Sequence, residues 1–355
     1  MSRTAAGSRR PDKANPLADR EPRDTPPPYP SGWYGVAFCT ELQPGTVLRR
    51  RLMDRDIVVF RTRSATASAA EAYCPHLGAH LGDGSVQGEE LRCPFHGFTF
   101  ATDGHCTSSP YGAPPPAARL GLLELREVSG LVMVWHGAPG ETPWEIDTPP
   151  GNPGWRPMRF KRPKVFSHPQ EVVENGVDIG HLSVLHRFGR VRVIEPLTLD
   201  GPHLRITVGF ARPTPLIGDI DTEISVHISG LGFSLVETTA AGGWSMRQLV
   251  ACTPIGEREL IAHVGSALCS RGKTRLGRAL WWPVEALLER IVFRIVVAEF
   301  DRDIPIWNRK KYLQRPAIAA GDGPIAKYRA WAQQFYPQHR AQSARRAPQI
   351  GCLEE

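Results

Sequence analysis

The chain has 355 residues, 41% of them apolar and 8% aromatic, enough for roughly two domains, each with its own core. Its formal charge of +7 sits largely at the ends: Arg3, Arg9, Arg10, Lys13, Arg20 and Arg23 near the start, Arg340, Arg345 and Arg346 near the finish. No basic-aromatic motif accompanies that charge, which argues against a nucleic-acid partner.

In chain order, residues 1–30 are basic and rich in proline and read as a solvated tail. No apolar secretory segment follows them, so a cytoplasmic location is expected. Residues 31–145 read as one domain of short strands broken by glycine. Residues 46–62 predict two strands turning near Asp54, Arg55 and Asp56, and residues 130–137 predict another. The stretch 137–155 is dense in Pro and Gly and reads as a connector, with the domain boundary at about residue 145.

Residues 146–338 form the second expected domain. A helix is predicted over 167–189, with Ser167 as N-cap and Pro169 in its first turn. Residues 203–266 alternate polar and apolar, which predicts an antiparallel sheet. Residues 279–300 carry Glu285, Glu289, Arg290, Arg294 and Glu299, too many charges for a transmembrane segment. Their helical spacing predicts a pair of packed helices near Pro283; a surface touching membrane or a greasy substrate is the alternative. Helices continue to about 338, and 339–355 read as a second tail. The fold class is therefore α+β, an all-β domain followed by an antiparallel sheet closed over by helices. Cys39, Cys106, Cys252, Cys269 and Cys352 are scattered singly, which fits a reducing compartment rather than a disulfide framework.

Chemistry concentrates at two places. The first is Cys74-x-His76, sixteen residues, then Cys93-x2-His96. Zinc fingers also use two thiolates and two imidazoles, but pair like with like along the chain. Here each half supplies one of each. That suits a two-iron cluster whose irons take the thiolates and the imidazoles separately. With Leu77-Gly78 and His96-Gly97 beside it, this pattern resembles the Rieske 2Fe–2S motif. Ala79 and Phe95 stand where Rieske proteins of cytochrome bc complexes carry a cysteine pair, so the resemblance is to the oxygenase and ferredoxin subtype. His80, His105 and Cys106 read as packing or surface residues.

The second place is Asp178-x2-His181-x4-His186. Asp178 and His181 share a helix face. His181 and His186 stand about 140° apart on a regular helix, so they hold one ion only if the helix is bulged or unwound. Gly176 and Gly180 make that cheap.

Over nearly all of residues 30–337 the chain is similar to the α-subunit of Rieske non-haem iron oxygenases. That resemblance implies a helix-grip second domain whose mononuclear Fe(II) is held by His181, His186 and a carboxylate far down the chain. Asp303, four residues before Trp307, matches best; Asp301 is the runner-up and Glu299 a third candidate. Asp178 matches the aspartate that links the two metal sites. The resemblance further implies a homotrimer, electrons from NAD(P)H through a separate flavin reductase or ferredoxin, and use of O2. Trp307, Lys311, Pro316, Gly321-Asp322-Gly323-Pro324, Trp331 and Phe335-Tyr336 resemble the branch acting on sterols and 3-ketosteroids, by hydroxylation or desaturation. An apolar polycyclic substrate is expected in a pocket walled by Leu216-Ile217-Gly218 and Leu231-Gly232-Phe233. Monooxygenation is the leading expectation; the alternatives are a desaturase or small-aromatic oxygenase of the same family, a Rieske electron carrier without oxygen chemistry and a structural zinc protein.

Overall fold

The computed structural model describes residues 29–149, 154–214, 218–270 and 275–337; the two tails expected at the termini lie, but for Tyr29 and Pro30, outside the described residues. The N-terminal part is built from three small antiparallel sheets. Gly32–Phe38, Leu131–His136 and Leu125–Val128 form one. Val47–Leu52, Arg55–Arg61, Ala67–Glu71 and Leu122–Leu123 form the second. Ser85–Gln87, Glu90–Arg92, Thr99–Phe100 and Cys106–Ser108 form the third. The turn expected around Asp54 to Asp56 falls one residue earlier. Met53 and Asp54 both adopt positive φ (52° and 60°) and Leu52 pairs with Arg55. Two central residues with φ above zero match the twist of a tight hairpin.

The C-terminal part is organised on one eight-stranded antiparallel sheet. Its order is Arg159–Lys161, Glu259–Leu268, Trp244–Gly256, Phe233–Ala240, Gly218–Ser229, His203–Thr214 and Gly189–Asp200, with Lys164–Val165 also paired to Glu259–Leu268. Strict alternation gives this sheet two different faces. On one, Phe233, Leu235, Leu249 and Ala251 pack against Trp33, Leu131, Met133 and Trp135 of the first part. On the other, Leu204, Ile206, Val208, Val226 and Ile228 meet the helices. The central strands of the sheet are thus buried on both sides, as a layered α+β fold requires, while the edge strand Gly189–Asp200 is largely exposed.

Four α-helices cover the second face: α1 (Pro169–Glu174), α2 (Ile179–Val184), α3 (Arg275–Trp307) and α4 (Ile325–Ala332). The single helix expected over 167–189 is two short ones. The first is capped by His168 rather than Ser167, the His168 ring accepting from the Gln170 N–H, with Pro169 at the first helical position. It stops at Asn175, and Asp178 caps the second by accepting from the His181 N–H at 3.1 Å. The pair of helices expected near Pro283 is one 33-residue helix. Pro283 lies on the exposed side, where water can take the carbonyl that its missing N–H leaves free. One turn further, Glu285 and Glu289 turn inward onto Arg156 (3.5 and 3.0 Å) and hold the helix to the sheet edge.

Candidate active site

The two Cys-Pro loops are near copies. In the first, the Gly78 N–H donates to the Cys74 carbonyl (2.9 Å) and the Cys74 N–H to the Ala79 carbonyl (2.9 Å); in the second, Gly97 donates to Cys93 (3.2 Å) and Cys93 to Phe98 (2.8 Å). Both turns close through a glycine at positive φ, 75° at Gly78 and 71° at Gly97, a conformation that side-chain-bearing residues resist. The result places both thiols inside, with Cys74 and Cys93 buried, and both imidazoles at the half-buried rim. The His76 and His96 rings stand 4.7 Å apart, centre to centre, and His76 stacks on Phe98. Burial pushes the Cys74 thiol up to about 11, with the neighbouring Cys93 adding to the rise. A thiol so placed stays protonated unless a metal takes its charge, and the donor set of two sulfurs and two nitrogens fits a Rieske cluster. His80 instead caps a short helical turn, His105 pairs with Asp103, and Cys106 is half-buried in a strand, all as packing or surface residues.

The second constellation is assembled from two distant segments. The helix ends at Val184, so His186 lies beyond it on an irregular stretch, which removes the 140° obstacle. The His181 and His186 rings are 5.0 Å apart. Asp303, near the C-terminal end of α3, brings its Oδ2 to 3.6 Å from His186 Nε2. One ligand-capable atom from each of His181, His186 and Asp303 lies within 4.8 Å of the others. Asp301 does not join them: it faces outward and binds Lys161 at 2.7 Å. Glu299 has another partner, His186 Nδ1, which donates to it at 2.8 Å, while Arg302 and Arg212 hold its carboxylate from the other side.

The remaining contacts set the state of each group. His181 Nδ1 donates to the Asp178 backbone carbonyl at 2.5 Å, and the Asp178 carboxylate stands 3.7 Å from the same nitrogen. Both Nδ1 positions are therefore taken, and Nε2 of each ring is left for a metal. The Asn175 amide donates to Asp303 Oδ1 at 3.1 Å. Burial raises the Asp303 carboxyl, against the pull of His186 and His181. Burial acts the same way on Glu299 and Asp178, but there it is outweighed: the His186 hydrogen bond and two arginines hold Glu299 low, and His181 holds Asp178 low. An ionised carboxylate on each histidine and a carboxylate that needs a cation between them make a donor set that fits a divalent iron with open positions.

These donors open on a cavity of about 350 Å³ between α3 and the sheet, within the usual size of a small-molecule site. Val208, Val226, Val236, Met246, Val292 and Val296 give it an apolar wall, with Thr238 and Gln248 among its few polar groups. Phe188 stacks on Phe210 (4.3 Å) and backs His186, with the Arg212 guanidinium 4.8 Å from its ring centre. The expected pocket wall is corrected here. Leu231 and Phe233 are core residues, and a side chain at Gly232 would meet the Trp33 carbonyl at 2.2 Å. Leu216 and Ile217 lie outside the described residues. Of the C-terminal motif, only Trp307 lines the cavity. Asp322 instead accepts the Ile179 N–H at the start of α2, Gly323 (φ 88°) sits against the Val177 carbonyl, and Trp331, Phe335 and Tyr336 fill the core beneath α1. Sequence reasoning missed Glu299 as the histidine's partner, although its i, i+4 spacing to Asp303 puts both on one helix face. It missed the cavity wall as well, whose residues come from five strands.

Residues 32–126 match the model of the Rieske [2Fe-2S] domain. Residues 134–336, more than half of the chain, match that of the 3-ketosteroid 9alpha-hydroxylase C-terminal domain. The chain belongs to the Rieske non-haem iron oxygenases. Among its relatives, the cholesterol 7-desaturase of Drosophila melanogaster is 30% identical over 88% of this chain and 76% of its own. A probable 3-ketosteroid-9-alpha-monooxygenase oxygenase component of Rhodococcus rhodochrous is 28% identical over 88% and 81%. Among solved structures, dicamba monooxygenase with non-heme iron and dicamba superposes with a TM-score of 0.62 at 21% identity, covering 88% of this chain and 98% of that one, a likeness of fold. This Rieske oxygenase is thus the oxygenase component of such a system, which sets aside the electron-carrier and zinc readings.

Proposed function

We propose that this Rieske oxygenase oxidises a steroid or similar polycyclic substrate, with His181, His186 and Asp303 holding the mononuclear iron and Cys74, His76, Cys93 and His96 holding the cluster. The observation that carries the reading is the meeting of the three donors at the wall of an apolar cavity. Bound, the cluster supplies electrons singly and the iron activates O2. The residues around them perform the rest. The valine and phenylalanine wall excludes water and takes up an apolar skeleton. Glu299 and the Asp178 carbonyl fix the histidine tautomers, and Asn175 holds one oxygen of Asp303 so that the other faces His186. Relatives named for cholesterol and for 3-ketosteroids support the substrate class; since those names cover desaturation and monooxygenation, product analysis separates the two.

The chain works as a homotrimer in a cytoplasmic setting, drawing electrons from NAD(P)H through a separate reductase or ferredoxin. In that assembly His96 of one copy meets Asp178 of the next. Three features support it: the Asp178 side chain is partly exposed, Val184 at the far end of α2 is 81% exposed, and His96 sits at a rim with exposed Leu77, Phe95 and Tyr111. The deciding experiment is metal analysis with turnover. The purified holoprotein should carry about three irons per chain, and His181→Ala or Asp303→Ala about two with the cluster's visible spectrum intact. O2 consumption with steroids, terpenoids and small aromatics, driven by a surrogate reductase, should favour the steroids. Two irons in the unaltered protein, or a preference for small aromatics, would sink this reading.

A further inference from the structure

The first half of α3 carries an apolar face that no described element covers. Trp281, Val284, Leu287 and Ile291 are 42–59% exposed, and Ile295, which also lines the cavity, is 41% exposed. Val284, Leu287, Ile291 and Ile295 follow one another at three- and four-residue steps and form one stripe. Single exposed hydrophobics are ordinary, but a contiguous stripe with Trp281 at its end is not; Trp282 lies on the other side of the helix, with the Arg156 guanidinium over its ring.

Its charge is one-sided. Arg290 and Arg294 are exposed beside the stripe, and Arg271, Lys273, Arg275 and Arg278 precede it in the sequence. The acids of residues 270–298 are Glu285 and Glu289, and both are buried on the opposite side against Arg156. A second copy docked face to face on this stripe would meet like charge, and the proposed trimer is built on the separate His96–Asp178 contact. An anionic lipid surface offers apolar depth and opposite charge together. Arginine flanking an apolar helix face and tryptophan at its edge suit the plane where head groups meet acyl chains. Among the described residues no helix is long and apolar enough to cross a membrane, so the contact is one of lying on it.

We propose that this face of α3 seats the protein on an anionic membrane surface, with Ile295 at the rim through which an apolar substrate passes from lipid into the cavity. The substrate-transfer half rests on the steroid reading above; the seating does not.

The test is co-sedimentation of the full-length holoprotein, without substrate, with phosphatidylcholine vesicles lacking or containing phosphatidylglycerol. The protein should pellet with the anionic vesicles, far less with the neutral ones, and be released by high salt. Arg290→Gln with Arg294→Gln should weaken binding roughly 30-fold, and Leu287→Ser with Ile291→Ser should lower it on both vesicle types. These side chains are exposed and do not line the cavity, and an unchanged cluster spectrum confirms that the variants fold. The Leu287→Ser, Ile291→Ser protein should keep its rate on substrate delivered in cyclodextrin and lose it on substrate embedded in vesicles. The proposal is overturned if the unaltered protein stays in the supernatant, or if both variants bind as it does. It is equally overturned if the serine variant changes oligomeric state while vesicle binding is unaffected, since the face would then be an interface between copies.

Discussion

Glu299 and Asp303 sit one turn apart on α3 and do different work on one histidine. Asp303 approaches Nε2 and Glu299 takes the proton side at Nδ1. Second partners of this kind are worth about 10–100-fold in metal affinity. Glu299→Ala should weaken Fe(II) binding by that factor in a competition titration, while Glu299→Gln, which still accepts the Nδ1 proton, should recover part of it. Asp303→Ala should lose the mononuclear iron altogether. Asp178 differs from both. Asp178→Ala should leave both metal contents near normal and abolish turnover, and lose about 1 kcal/mol of stability with its cap; retained full activity would remove its bridging role. The histidines and cysteines were legible one by one, because their types and spacings are chemically unusual. Asp303 was legible only through its distance from Trp307, and the choice against Asp301 came from Lys161, 140 positions away in sequence and 2.7 Å in space.

At the scale of elements, the break between α1 and α2 sets where α2 begins, and the end of α2 at Val184 brings His186 back beside His181. A continuous helix would have turned His186 away from His181. The break is held from outside: Asp322 accepts the Ile179 N–H, and Gly323 sits where a Cβ would lie 2.5 Å from the Val177 carbonyl. Gly323→Ala forces a left-handed residue and should cost at least roughly 1–2 kcal/mol, seen as a lowered Tm, with Fe(II) binding weakened alongside. Below, Glu174 at the end of α1 binds Arg329 of α4 (2.5 and 2.9 Å) and Lys310 (3.2 Å), which ties three segments to the same corner. Gly176 and Gly180 made distortion foreseeable, but its position depends on these remote clamps. The same holds for Pro283, which reads as a helix boundary in isolation and sits inside a helix because Glu285 and Glu289 are anchored beyond it.

For the whole molecule, the central sheet joins the two halves, and the burial of its central strands on both faces has a pH signature. His263 lies within Glu259–Leu268, with its ring against Phe38. Burial, with Arg162 nearby, pushes its imidazole down to about 3. Between about pH 6.5 and about pH 3 the unfolded chain therefore holds a proton that the folded chain refuses. Stability is complete above the unfolded value and falls as the medium is acidified, by up to about 1.4 kcal/mol per pH unit from this group. Denaturant melts near neutrality and near pH 5 should show that fall, and His263→Leu should flatten it. The proposed trimer is open to a separate test. Co-expressed His96→Ala and His181→Ala chains, each inactive alone, should form hybrids that turn over if electrons pass between copies; no recovered activity would confine transfer to one chain.

The sequence alone determined the metal chemistry, the α+β class and the alternating sheet, because ligand types and strand periodicity are local properties written in adjacent residues. Tertiary structure decided which carboxylate faces the histidines, where the helix breaks and which side chains wall the cavity. Those outcomes depend on contacts between segments a hundred or more residues apart, and no local pattern records which of several equivalent acids, glycines or valines the packing will bring together.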